Sequence, residues 1–140
     1  MNRKTNILVV AKDAAILDMV GNSLSADYTV LNSSDGPSAL DVLKQRRVDA
    51  MVADMNLPEM PGVLVTQIAK RMFPDICTVL ITSSESPDQA RKALGSGASD
   101  YISKPLDPDL IRMVVQRCLE RRLMETRQLS EERSSVLFSA

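Results

Sequence analysis

The chain has 140 residues, 44% of them hydrophobic, enough for one domain with a single core and a short appendage. Its 17 basic and 18 acidic residues leave a net charge of −1, so the balance points neither to nucleic acid nor to an anionic membrane. No histidine is present, which removes Ser–His and Cys–His nucleophilic pairs, histidine metal sites and a histidine phosphocarrier together. Residues 7–10 are a short apolar run with the character of a buried strand. Asp13 is placed as N-cap of a first helix, with Ala14, Ile16, Leu17, Val20 and Leu24 on one face. Residues 28–31 form a second, weaker strand, and Asp35-Gly36-Pro37 starts a helix carrying Ala39, Leu40 and Leu43. Residues 50–53 are the third strand and 63–72 the third helix. Residues 78–81, rich in β-branched side chains, are the fourth strand. Ser86-Pro87 opens a fourth helix, with proline in its first turn, and Gly95-Ser96-Gly97 ends it. Residues 101–103 are the fifth strand, and the last helix starts near Asp107-Pro108 and continues without Gly or Pro.

Strands alternating with helices predict an α/β fold with a parallel sheet covered on both faces. Right-handed crossovers in a single sheet favour a doubly wound, flavodoxin-like arrangement of five strands in the order 2-1-3-4-5. With two Tyr, two Phe and no Trp, the core is aliphatic and rich in methionine. Cys77 and Cys118 each lie in an apolar stretch and read as reduced core residues of a cytoplasmic protein. No apolar run approaches the ~18 residues of a membrane span. Met1-Asn2-Arg3-Lys4 leads straight into a strand, without the pattern of a signal peptide.

In this topology the ends of strands 1, 3, 4 and 5 meet on one rim, where such sheets bind ligands. The residues placed there are Lys12 and Asp13, Asp54, Thr82 with Ser83, and Lys104 followed by Pro105. Singly, each has a plain reading as a solvated or turn residue. Together they suit phosphoryl transfer to a carboxylate. Asp54 is the candidate nucleophile. Thr82 offers a hydroxyl, and Lys104 with Ser83 the phosphate-stabilising groups. The Asn56 carbonyl is a candidate ligand for a hard cation such as Mg²⁺. No glycine-rich phosphate loop and no aromatic platform for a flavin accompany them, so a freestanding enzyme is not expected.

The strand residues Ile7-Leu8-Val9-Val10, the stretch from Asp54-Met55-Asn56 through Pro61-Gly62, the segment Leu80-Ile81-Thr82-Ser83 and the run from Gly97 to Lys104-Pro105 carry a resemblance. Over about residues 5–120 the sequence resembles the receiver domain of bacterial two-component response regulators, a CheY-like form of the flavodoxin-like fold. The resemblance implies that Asp54 accepts a phosphoryl group from a sensor histidine kinase or phosphotransfer protein. It implies that Thr82 is a switch hydroxyl, Tyr101 an aromatic switch and Lys104 the cation beside the acyl phosphate. The sequence departs from the family at the acidic pair that holds Mg²⁺. Ala11 and Lys12 stand there, and Asp13 follows as either an N-cap or a displaced metal ligand. Weak or no Mg²⁺ binding is expected, with Asp13, Asp54 and the Asn56 carbonyl as the remaining ligands. Lys12 either supplies positive charge in place of the metal, quenches Asp54, or points into solvent. The competing reading is a phosphorylation-independent pseudo-receiver that serves as a protein-interaction module.

A helix covering the sheet needs about 12–14 residues. The last pattern continues to about residue 132, so residues 1–122 are assigned to the domain and 123–140 to a helical extension. Leu110, Val114, Val115, Cys118 and Leu119 are the expected core positions; Leu123, Met124 and Leu129 lie beyond them. The extension is either a solvated tail or a signalling helix that pairs in a homodimer or leads to an output domain. No helix-turn-helix is visible, so direct contact with nucleic acid is not expected.

Overall fold

The fully buried strands of this chain are mostly apolar, with Asp54, Thr78 and Thr82 as their buried polar residues. The computed structural model, which describes residues 4–83 and 87–138 except the side chains of 130 and 133–138, orders the strands as β1 (Asn6–Val10), β2 (Thr29–Ser33), β3 (Ala50–Asp54), β4 (Cys77–Thr82) and β5 (Asp100–Ser103). They form one parallel sheet in the order β2-β1-β3-β4-β5. Every residue of the central strands β3 and β4 is buried, as expected where helices cover both faces. The helices are α1 (Ala14–Leu24), α2 (Gly36–Gln45), α3 (Gly62–Met72), α4 (Pro87–Gly95) and α5 (Pro108–Phe138).

The period-two alternation of the strands splits the core into two layers. Ile7, Val9, Val52, Val79, Ile81 and Ile102 face α1 and α5, where Val20, Leu24, Ile111, Val115 and Cys118 meet them. Leu8, Val10, Met51, Ala53 and Leu80 pack with Ala39, Leu43, Val65, Ala69 and Ala93 of α2, α3 and α4. Asp54 shares the parity of Ala50 and Val52, which directs its carboxylate to the α1 side.

Three details differ from the sequence reading. Ala14 is exposed, because Asp13 caps the helix and leaves its first turn beyond the sheet; Val20 and Leu24 carry the buried face. Tyr28 belongs to the turn, since its amide donates to the Leu24 carbonyl at 3.0 Å, and β2 runs on to pair Asn32 and Ser33 with Val9 and Val10. On α5, Leu110 is 41% exposed and Ile111 is fully buried. The buried stripe is Ile111, Val114, Val115 and Cys118, one residue out of phase with the expected start. Ser86 and the segment Met1-Asn2-Arg3, which carry the expected start of α4 and the leader argument, lie outside the described residues.

Both cysteines are free and buried. The Cys77 thiol donates to the Cys118 carbonyl at 3.3 Å, and hydrogen bonding with Cys118 together with burial pushes the Cys77 pKa up. Beyond its buried stripe, α5 is tied down by Arg122, whose Nη1 donates to the Asp49 carbonyl at 3.0 Å and whose Nη2 lies 3.5 Å from Asp49 Oδ1. Asp49 is buried just before β3 and also accepts the Asn6 amide at 2.9 Å. Farther along, Leu123, Met124 and Leu129 are 57%, 66% and 58% exposed. No helix among the described residues is long and apolar enough to cross a membrane.

Candidate functional site

The parallel registers bring the strand ends together. Asp54 pairs with Ile81, one residue before Thr82, and Thr82 pairs with Ser103, one residue before Lys104. The ladder continues one step past the strands, because the Met55 amide donates to Ile81 O and the Lys104 amide to Thr82 O, each at 3.0 Å. Lys104 is therefore rooted beside Asp54 although 50 residues separate them.

Asp54 is 4% exposed. Its Oδ1 accepts the Asn56 amide at 2.9 Å, and its Oδ2 lies 3.1 Å from Lys104 Nζ. A buried carboxylate needs such partners, since an uncompensated charge in the interior is costly. The loop after Asp54 is folded back by the Gly62 amide, which donates to Met55 O at 2.9 Å. Gly62 packs directly on the Asp54 carbonyl, with no room for a Cβ.

At the end of β1 the chain presents different chemistry. Ala11 is fully buried, and its amide extends the sheet by donating to Ser33 O at 3.1 Å. It brings no polar side chain to the rim. Lys12 is exposed. Asp13 Oδ1 accepts the Ala15 amide at 2.9 Å, so this carboxylate caps α1 as the sequence suggests. Lys12, Asp13, Ile16, Asp54, Asn56 and Lys104 together line an open depression of about 360 Å³.

The remaining candidates lie around this depression. Thr82 is buried and its Oγ1 donates to Ser103 Oγ at 3.0 Å. Ser83 is tied to the first turn of α4, with its amide 3.0 Å and its hydroxyl 3.1 Å from Gln89 Oε1. Tyr101 is half-buried against the α2, α3 and α4 layer. Next to it, the Asp100 carboxylate meets Arg117 of α5 at 2.7 Å. Ser103, Gln89 and Arg117 were not singled out from the sequence. Only the strand register, which sets Ser103 opposite Thr82, carried a signal for any of them. A larger hollow of about 760 Å³ lies at the opposite end of the sheet, where Arg46, Arg47, Asp49, Phe73, Arg122 and Leu123 are among its walls.

Residues 7–116 match the family model described as response regulator receiver domain. Response regulator MprA of Mycobacterium sp. strain KMS is 35% identical over 119 residues, covering 83% of this chain and 50% of that protein. Histidine kinase P4 of Formosa agariphila is 32% identical over 125 residues, covering 86% of this chain and 9% of the kinase. Among solved structures, a CheY-like response regulator receiver domain protein from Methanospirillum hungatei JF-1 aligns with a TM-score of 0.82 and 25% identity, covering 88% of this chain and 99% of that one. The chain thus spans half or less of these two curated relatives, but nearly all of a solved receiver domain. With 2-1-3-4-5 topology, the Asp54–Lys104 rim and a family match across most of its length, this chain belongs to the response regulator receiver domain family of two-component signalling.

Proposed function

We propose that Asp54 is the phosphoacceptor of this receiver, taking its phosphoryl group from a sensor histidine kinase or a phosphotransfer protein in the cytoplasm. The observation that carries this reading is the 3.1 Å approach of Lys104 Nζ to Asp54 Oδ2 in an open depression. A carboxylate held by a cation and a backbone N–H is oriented for in-line attack. The same donors then serve the oxygens of the arriving group. Thr82 and Tyr101 are the proposed switch. Thr82 leaves Ser103 for a phosphoryl oxygen, and the half-buried Tyr101 moves inward behind it. Ser83 has a secondary part, because reaching the phosphoryl group requires it to release Gln89.

Mg²⁺ binding is expected to be weak or absent. The match covers half of the regulator MprA, which supports a further, output domain joined to this receiver. The exposed Leu123, Met124 and Leu129 support a homodimer in which the extended helices pack over a short length. One observation favours the second reading, a phosphorylation-independent interaction module: a neutral Ala11 and a cationic Lys12 stand at the rim. Incubation with a small phosphodonor separates the two. The first reading requires that the intact protein gain the mass of one phosphoryl group and that Asp54→Asn abolish the gain. Without any gain, the interaction module is the function.

A further inference from the structure

We infer that this site binds its phosphoryl group without a divalent cation, with the Lys12 ammonium supplying the charge that a metal would otherwise bring. The inference rests on Asp54 as acceptor and specifies how that acceptor works. The donors around the depression do not fit Mg²⁺. Magnesium asks for octahedral oxygen ligands, including carboxylates, and gives up its water reluctantly. Ala11 supplies no ligand, and one oxygen of Asp13 is spent on the Ala15 amide. Both oxygens of Asp54 are engaged, one by Asn56 and one by Lys104. Among the described residues no three His, Cys, Asp or Glu side chains converge as a metal group. Lys12 and Lys104 line the same hollow, so two positive charges oppose the ion that the family pattern would place there.

The same arrangement suits an anion. Phosphorylation replaces the single negative charge of Asp54 with a group carrying close to two. Lys104 alone leaves part of that charge uncompensated, and Lys12 stands across the depression on a long flexible stem. Lys12 is exposed and has no ion-pair partner among the described residues, so turning inward breaks no existing pair. In the transfer, an Asp54 carboxylate oxygen forms a bond to phosphorus and the bond to the donor breaks. From phosphohistidine the leaving imidazole nitrogen keeps the electron pair and takes a proton from water. From acetyl phosphate the leaving acetate keeps it. No redox change occurs. Lys12 and Lys104 each donate hydrogen bonds to non-bridging phosphoryl oxygens as charge builds on them.

The test measures the initial rate of acetyl phosphate labelling of the whole chain by intact mass. It is run in chelator and in excess Mg²⁺, for the parent, Lys12→Gln and the pair Ala11→Asp with Lys12→Asp. Thermal melts establish that each variant is folded. The parent is expected to label at the same rate in both buffers. Lys12→Gln is expected to slow labelling about tenfold in both, below the loss typical of an enclosed transition-state donor because Lys12 is exposed. The double variant is expected to label only with Mg²⁺. A parent that needs Mg²⁺, or a Lys12→Gln variant with an unchanged rate, overturns the inference and leaves Asp54 as acceptor intact. A parent that labels under neither condition overturns the acceptor assignment itself, and this inference with it.

Discussion

Replacing Gly62 with alanine tests how tightly the acceptor loop is built. A Cβ at Gly62 would fall inside van der Waals contact with the Asp54 carbonyl oxygen, 2.8 Å from Met55 Cα and 2.9 Å from Asp54 C. All three atoms are backbone, so no side chain can rotate aside. Partial relief by drawing residue 62 back would also break its 2.9 Å hydrogen bond to Met55 O. Overpacking costs about 1–3 kcal/mol and a lost hydrogen bond about 1 kcal/mol more, so the expected destabilisation is about 2–4 kcal/mol. At about 4 °C per kcal/mol, Tm should fall by about 8–16 °C. The displaced carbonyl belongs to Asp54, so labelling of the carboxylate should fall as well. Gly95→Ala is the control. Nothing lies within 4 Å of its added Cβ, and it is the last residue of α4. Helix propensity favours alanine there by up to about 1 kcal/mol, so Tm should hold or rise. Thermal melts by far-UV circular dichroism decide the matter. Equal Tm values for the two variants would refute the packing argument.

On α5, Ile111→Ala should cost about 2–5 kcal/mol in chemical denaturation, whereas Leu110→Ala should stay within about 0.5 kcal/mol; a reversed order would mean that the helix sits in the other phase. Asp49→Ala removes the carboxylate that lies 3.5 Å from Arg122 Nη2 and that accepts the Asn6 amide, while the residue-49 carbonyl still accepts from Arg122 Nη1; it should cost about 2–3 kcal/mol and speed tryptic cleavage at Arg122. Unchanged proteolysis would show that α5 needs no such tie. Deleting residues 124–140 should weaken self-association in sedimentation and leave the sheet folded, because the buried stripe of α5 ends at Cys118. A monomeric parent, or a dimer that survives the deletion, would exclude the extension as the interface.

The fold was legible because β3 and β4 are buried end to end and are apolar apart from Asp54, Thr78 and Thr82, while Asp35, Pro37 and Gly97 mark element ends. Tyr28 was misplaced because an aromatic residue beside a weak edge strand suits either strand or turn; the hydrogen bond to Leu24 decides it. The start of α5 offers two phases, Leu110 with Val114 or Ile111 with Val115. Only contact with the sheet selects the second. At the site, Asp54 and Lys104 were readable from strand ends alone, since a parallel register fixes where such ends meet. The Thr82–Ser103 and Ser83–Gln89 pairs depend on side-chain rotamers, which no pattern records. Arg122 and Asp49 are 73 residues apart and carry no local signal of their meeting.

The most direct measurement is to locate the modification. After the chain is labelled by a phosphohistidine donor, borohydride reduction converts an aspartyl phosphate into homoserine, and peptide mass spectrometry reads its position. The account predicts homoserine at residue 54 and at no other aspartate, with none in Asp54→Asn. Homoserine at Asp13 or elsewhere, or unmodified aspartate at residue 54 under conditions that label a receiver with an intact acidic pair, would contradict it.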